Sequence, residues 1–504
     1  MRLGIDFGTT RTIAAHVDRG NYPVVSFLDN EGDSHDYIPT VAGLDEDRLV
    51  YGFDALDANH ARGVQLVRSF KRELASPAVT SDSTVTIGGL EIPLLDLMTG
   101  FLSHVKDRLH TASSLSEPLR TDPLNHVAIA VPAHAHGAQR FLTLEAYRRA
   151  GFNVVAMINE PSAAGFEYTH RQGGTLNARR TRVLVYDLGG GTFDASLVRV
   201  DGLAHEILGT RGINRLGGDD FDAVLAACAL EAAGTSIERL GVDEYAELLL
   251  SARDAKEGLA PQSRRMLLTV AGKDVVVRVD DFYKAATPLI EQTIDAISRL
   301  VGGLDDSALA DSDVAGVYLV GGASTLPIVA RQLREHFGRR VHRSPMPAGS
   351  AAVGLAIALD PEAGYSLEDR LSRGVGVFRE RDGGAGVTFD PVLSPDNRLP
   401  EDGEVRISRR YRAAHNLAWY RFIEYSLLEE GQPRGDIAPL GEILFPVDPS
   451  LRDGRELSLV SVERSGNGGG PEIEEMYTVD STGLVRVSVR DLETGYLVEA
   501  GFGG

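Results

Sequence analysis

Cysteine is almost absent from this chain: Cys228 is the only one in 504 residues. No intrachain disulfide and no thiolate cluster can form, which suits a reducing compartment and leads us to expect the cytoplasm. Basic residues fall short of acidic ones, 51 Lys and Arg against 72 Asp and Glu, for a formal charge of −21. A surface of that sign disfavours nucleic acid and anionic membrane as partners, because both reward a basic patch. Long apolar runs are missing too, and Met1 leads into a short apolar stretch with no charged-then-apolar leader. A chain of this length is too long for one core and is expected to hold several packing units.

Glycine and acid are abundant where they matter most. In VLVYDLGGGTFDASLVRV, residues 183–200, an apolar run suits a buried strand and ends at Asp187. Gly189, Gly190 and Gly191 follow, then Thr192 and Asp194. Consecutive glycines let backbone N–H groups approach an anion with no Cβ in the way. An acid at a strand end, a glycine turn and a hydroxyl make a magnesium–phosphate cradle, or else a tight hairpin between two core strands. The same device opens the chain: LGIDFGTTRTIAAHV, residues 3–17, carries Asp6, Gly8, Thr9 and Thr10 between two apolar runs. Two copies predict an internal duplication with two facing phosphate loops, an arrangement that resembles the cleft of the actin-like ATPases.

Other stretches are less specific. Helical spacing is expected from Asn59 to Leu74, where Lys71 and Arg72 lie; a lysine there is usually a solvated charge. Leu94, Met98, Phe101, Leu102, Val105 and Leu109 predict a core-facing helix. The run VAIAVPAHAHGAQR predicts a strand over Val127 to Val131 and a helix from Gln139. His134 and His136 stand two apart with no third ligand nearby and read as a solvated loop pair rather than a zinc site. Glu160 precedes Pro161, as a carboxylate near magnesium or as an acid favoured by a helix start.

The strings IDFGTT, NEPSAAG, DLGGGTFD, LGGDDFD and YLVGGASTLP occur in the order and rough spacing of the heat-shock protein 70 (DnaK-type) chaperones, which the chain resembles over nearly its whole length. The resemblance implies an α/β actin-like (ribonuclease H-like) duplicated ATPase domain over residues 1–360, a linker over 361–373 and a β-sandwich peptide-binding domain over 374–504. It implies ATP/ADP and Mg2+ as cofactors, with Asp6 and Asp187 holding hydrated magnesium. Lys71, Glu160, Asp187, Thr192 and Asp194 would carry hydrolysis. Gly8, Thr9, Thr10, Arg11, Gly189, Gly190, Gly191, Gly217, Gly218, Asp219, Lys256, Gly321, Gly322 and Ala323 would hold the nucleotide. Pro132 and Arg140 match the family's relay to the domain surface.

The purine end departs from the family pattern. Arg253 and Glu257 stand where an acid and an arginine are usual, so the arginine expected to stack on adenine is lost while an i,i+4 pair survives. Arg11 replaces a common aromatic, Ala348 a common Asp and Thr325 a usual arginine. The linker is polar, with only Leu367 and Leu371 in place of the family's apolar strand.

From Gly374 onward, strands are expected over 374–378, 404–411, 418–428, 443–446, 456–462, 474–479 and 484–490, with polar turns between them. Trp419, Tyr420, Phe422 and Tyr425 would line a peptide groove or pack in the core. No long amphipathic helices follow, so the family's helical lid is expected to be absent. The expected function is a slow ATP hydrolase coupled to capture of extended hydrophobic peptides, with a J-domain co-chaperone and an exchange factor as possible partners. The alternative is a nucleotide-binding scaffold that grips one specific partner through its β-domain.

Overall fold

The computed structural model describes residues 1–301, 313–382, 385–395, 397–400, 403–454, 456–464 and 469–500. Two sheets of matching topology form the first part. In the first, β1 (Arg2–Phe7) and β2 (Arg11–His16) make an antiparallel hairpin, β3 (Ile38–Pro39) flanks β2, and β4 (His126–Val131) and β5 (Val154–Asn159) run parallel to β1, in the order β5-β4-β1-β2-β3. Helix α1 (Leu94–Thr111) buries the predicted stripe against this sheet, with α2 (Gly137–Arg149) beside it. Helix α3 (Glu160–Gln172) leads into the second sheet, whose hairpin is β6 (Arg182–Leu188) and β7 (Phe193–Asp201).

The second sheet adds β8 (Ala204–Ile213) and, after helices α4 (Gly218–Ala232) and α5 (Val242–Glu257), the parallel strands β9 (Val314–Val320) and β10 (Val341–Arg343). Its order, β10-β9-β6-β7-β8, repeats the first sheet strand for strand. Helix α6 (Ser350–Leu359) then crosses α3 and joins the two lobes. Its high content of small residues permits that approach.

The segment expected as a linker contributes β11 (Ser366–Glu368), a parallel edge strand on β8. Leu367 packs among the apolar side chains beneath it. Charge does much of the holding: Arg370 reaches Glu206 at 3.0 Å, and Arg398 reaches Glu206 at 3.4 Å and Glu368 at 2.9 Å. Asn159 donates to Asp369 at 3.1 Å.

Beyond it two four-stranded sheets face each other. One is β12 (Gly374–Arg381), β13 (Gly386–Leu393), β15 (Leu417–Glu429) and β16 (Gln432–Pro446), in the order β13-β12-β15-β16. The other is β14 (Glu404–Arg412), β17 (Glu472–Asp480), β18 (Val485–Asp491) and β19 (Leu497–Ala500), in that order. Val377, Phe422, Phe445, Tyr477 and Val487 fill the space between them. Of the four aromatics singled out, Tyr420, Phe422 and Tyr425 are buried, while Trp419 is 57% exposed and donates its indole N–H to Glu442. The strand expected over 456–462 does not form: Leu457–Leu459 is a short 3-10 turn, and Leu459 and Val462 are exposed.

One ionic cluster interrupts this core. Glu475 is fully buried and takes both arms of Arg379, at 2.8 and 2.9 Å, with hydroxyls of Tyr411 and Tyr477. Breaking such a pair strands a buried charge. Arg379→Leu is expected to destabilise the sandwich by about 3 kcal/mol, with much of the loss recovered by Arg379→Leu/Glu475→Leu, as read from denaturant unfolding. Equal stability of the single variant and the parent would refute this reading.

The two parts meet around the start of α2. Arg373, almost wholly buried, lies 3.7 Å from Glu424 and 2.8 Å from Asp436. Glu424 accepts from the Gly137 N–H at 2.8 Å, and Arg140 donates to the Thr482 carbonyl at 3.0 Å. His134 and His136 sit here, buried rather than solvated as expected. Burial, with Arg373 next, pushes their imidazoles down to about 3 and about 4. Both therefore stay neutral. Among the described residues no helix is long and apolar enough to cross a membrane.

Candidate active site

Each hairpin turn closes in the same way. The Gly8 N–H donates to the Arg11 carbonyl at 3.1 Å, and the Gly189 N–H to the Thr192 carbonyl at 3.0 Å. The turns face one another so closely that a Cβ on Gly190 would stand 2.6 Å from Thr10 Cγ2. Only glycine allows that approach. The backbone of 217–219 backs the second turn, with Gly218 N–H donating to the Gly189 carbonyl and Asp219 N–H to the Gly190 carbonyl. Gly321 adopts φ +81° directly beneath Asp187, where a Cβ would meet Asp187 Oδ1 at 2.3 Å.

Between the turns opens a cleft of about 670 Å³. Asp6, Gly8, Thr9, Thr10, Arg11, Lys71, Glu160, Asp187, Gly189, Gly190, Thr192, Gly218, Asp219, Lys256, Gly321, Gly322 and Ala323 line it. Gly191, Asp194 and Gly217 do not line it. Gly217 backs Gly191, and Asp194 is buried behind the turn, where its Oδ1 accepts from the His134 N–H at 3.1 Å.

Lys71 reaches the cleft by a route the helical spacing did not predict. The helix ends at Arg62, a strand covers Leu66–Arg68, and Lys71 rides a 3-10 turn, Phe70–Ala75. It is 4% exposed, far from the solvated charge its position alone suggests, and donates to the Phe7 carbonyl 3.8 Å from Glu160. Two carboxylates, Glu160 and Asp6, feel this cation, with Asp187 and Asp194 buried close by. Burial and then Glu160 push Asp6 up to about 7, against the pull of Lys71. Burial raises Glu160, again opposed by Lys71; burial and then Glu160 raise Asp187 and Asp194 well above the usual carboxylate range.

A pocket with this much concentrated negative charge is short of cations. Asp6 Oδ1 is buried with no hydrogen-bond partner among the described residues. Among them no three side chains converge tightly enough to hold a metal directly. The donor set fits a hydrated magnesium ion, which Asp6 and Asp187 would hold, and a phosphate chain against the turn N–H groups.

Sequence reasoning missed what crosses the cleft. Arg72 Nη2 donates to both carboxylate oxygens of Asp220, at 2.8 and 2.7 Å, tying one lobe to the other. Arg11 Nη2 meets Glu257 at 2.5 Å and lies 4.7 Å over the Tyr37 ring. The expected i,i+4 pair is present, Arg253 to Glu257 at 3.2 Å. Lys256 binds Asp222 and the Gly218 carbonyl, each at 2.6 Å. No local pattern marks Arg72 or Tyr37, because their partners are far away in sequence.

Comparison with known proteins supplies the relationship. A family model described as Hsp70 protein matches residues 101–366. The chain is 28% identical to the Chaperone protein HscA of Enterobacter sp. (strain 638), over 98% of this chain and 77% of that one. It is 29% identical to the Chaperone protein HscA homolog of Paracidovorax citrulli, over 98% of this chain and 76% of the relative. With the paired hairpins and the sandwich already described, the chain belongs to the Hsp70 family, as an actin-like duplicated ATPase domain followed by a β-sandwich.

Proposed function

We propose that this chain is a cytoplasmic chaperone that hydrolyses Mg-ATP and couples turnover to capture of extended apolar peptide segments by its sandwich. The observation that carries the reading is the buried Lys71 beside Glu160 at the mouth of two opposed glycine turns. Magnesium, when bound, would neutralise charge on the phosphates. The rest of the work belongs to the chain. Thr9, Thr10, Gly189, Gly190 and Thr192 orient the phosphates, Lys71 steadies the terminal one, and Glu160 orders the attacking water, while Asp194 braces the second turn from behind. Hydrolysis of a phosphoanhydride needs positioning and charge compensation more than covalent chemistry, and this arrangement supplies both.

Coupling is supported by the path from Asp194 through the His134 backbone to Arg373 and Glu424. A J-domain co-chaperone and an exchange factor fit the same reading. A scaffold with little turnover is favoured by the rebuilt end of the cleft at Arg11, Arg253 and Glu257. Single-turnover hydrolysis of ATP, with and without an unfolded apolar peptide, separates the two. Peptide is expected to raise the rate about tenfold in the parent and to lose that effect in Leu367→Asp, which disrupts β11. Nucleotide binding without turnover would leave only the scaffold.

A further inference from the structure

Helix α2 carries a polar stripe that the chemistry above leaves unused. Gln139, Thr143 and Tyr147 stand four residues apart, so they share one face, and all three are buried. Gln139 Oε1, Thr143 Oγ1 and the Tyr147 hydroxyl are each enclosed with no hydrogen-bond partner among the described residues. Orphaned buried polar atoms are costly and few in native proteins, and catalytic use is one reason they are kept. Of the three residues, Gln139 is the one that lines the cleft, and it is 2% exposed.

Its neighbours fix the part of the cleft it faces. Ahead of α2, the His134 N–H donates to Asp194 at 3.1 Å. Next along the helix, Arg140 donates to the side chain of Asn159, the residue before Glu160. The helix also packs on the Phe70–Ala75 turn that carries Lys71. Gln139 therefore enters at the carboxylate end, with Lys71 and Glu160. Attack on a terminal phosphate needs a water with its lone pair aimed at phosphorus, so both of its hydrogens must be held by acceptors. Glu160 supplies one. We propose that Gln139 is a further catalytic residue, whose carboxamide oxygen accepts the second hydrogen of the attacking water. The proposal rests on the ATPase reading above and adds a residue to it. The water oxygen bonds to phosphorus as the bond to the leaving oxygen of ADP breaks. One water proton stays on the released phosphate, and the other passes through Glu160 to solvent. Gln139 takes no proton. Its carboxamide is neutral, so it accepts without adding to the negative charge gathered there.

Gln139→Met, close in length and shape, removes the acceptor and keeps the packing. In chemical quench of the full chain with limiting Mg-ATP, it is expected to slow hydrolysis on the order of 100-fold. ATP and ADP binding should stay within about threefold of the parent. Gln139→Asn keeps the carboxamide but draws it back by one methylene, and should show the same split with a smaller loss. Hydrolysis by the Met variant within about threefold of the parent overturns the proposal. So does an Asn variant slower than the Met variant, or a loss of nucleotide binding as large as the loss of rate, which would make Gln139 part of the grip. A parent that binds ATP without turnover would overturn the ATPase reading along with it. Turnover in the parent matched by the Met variant removes Gln139 alone.

Discussion

Lys71→Ala is expected to lower single-turnover hydrolysis on the order of 100-fold or more, with ADP binding held within about threefold. The side chain is buried between the Phe7 carbonyl and Glu160, so it cannot be replaced by solvent cations without rearrangement. It is also the cation that opposes the upward push on Asp6 and Glu160. On the proposed reading, removing it would take away the positive charge beside the terminal phosphate and drive Glu160, which would order the water, further toward its neutral form. ADP lacks the terminal phosphate and reports on the cradle alone. Chemical quench with limiting ATP reads the rate. A rate within about threefold of the parent would remove Lys71 from the reaction.

The second large effect concerns stability rather than chemistry. Helix α6 crosses α3 backbone to backbone: a Cβ at Gly354 would stand 1.8 Å from the Ala163 carbonyl oxygen. The neighbour is backbone and cannot swing aside. Gly354→Val must push the helices apart and is expected to cost about 3 kcal/mol or more. The thermal midpoint of the first part of the chain should fall by roughly 5 °C or more. Gly173→Ala, where nothing lies within 4 Å of the added carbon, is the matched control and should move it little. Equal midpoints for the two variants would show that the helices yield at this crossing without loss.

The elements readable from sequence were those set by local rules. Asp, glycine and threonine at a strand end specify a turn by backbone sterics alone, and both turns close with the same hydrogen bond. The stripe from Leu94 to Leu109 is a helix because its period matches one. What sequence could not show depends on distant partners. Arg72 meets Asp220 and Arg11 meets Glu257 only after the lobes have folded onto each other. His134 and His136 look like loop residues until the second domain covers them. Strand β13 is hidden in the sequence because Pro391 lies within it, which an edge strand tolerates. The apolar run expected as a strand over 456–462 turns instead into a 3-10 segment at Leu457–Leu459.

The duplicated hairpins are alike in topology and in turn geometry, so taken alone they have no direction. A phosphate chain could lie between them either way round. Direction comes from what each copy inserts after its hairpin. The first inserts the segment that delivers Lys71 to the carboxylate side; the second inserts α4 and α5, which deliver Lys256 and Glu257 to the side of Arg11. Symmetry builds the grip, and the two unequal additions tell it which end of its ligand is which.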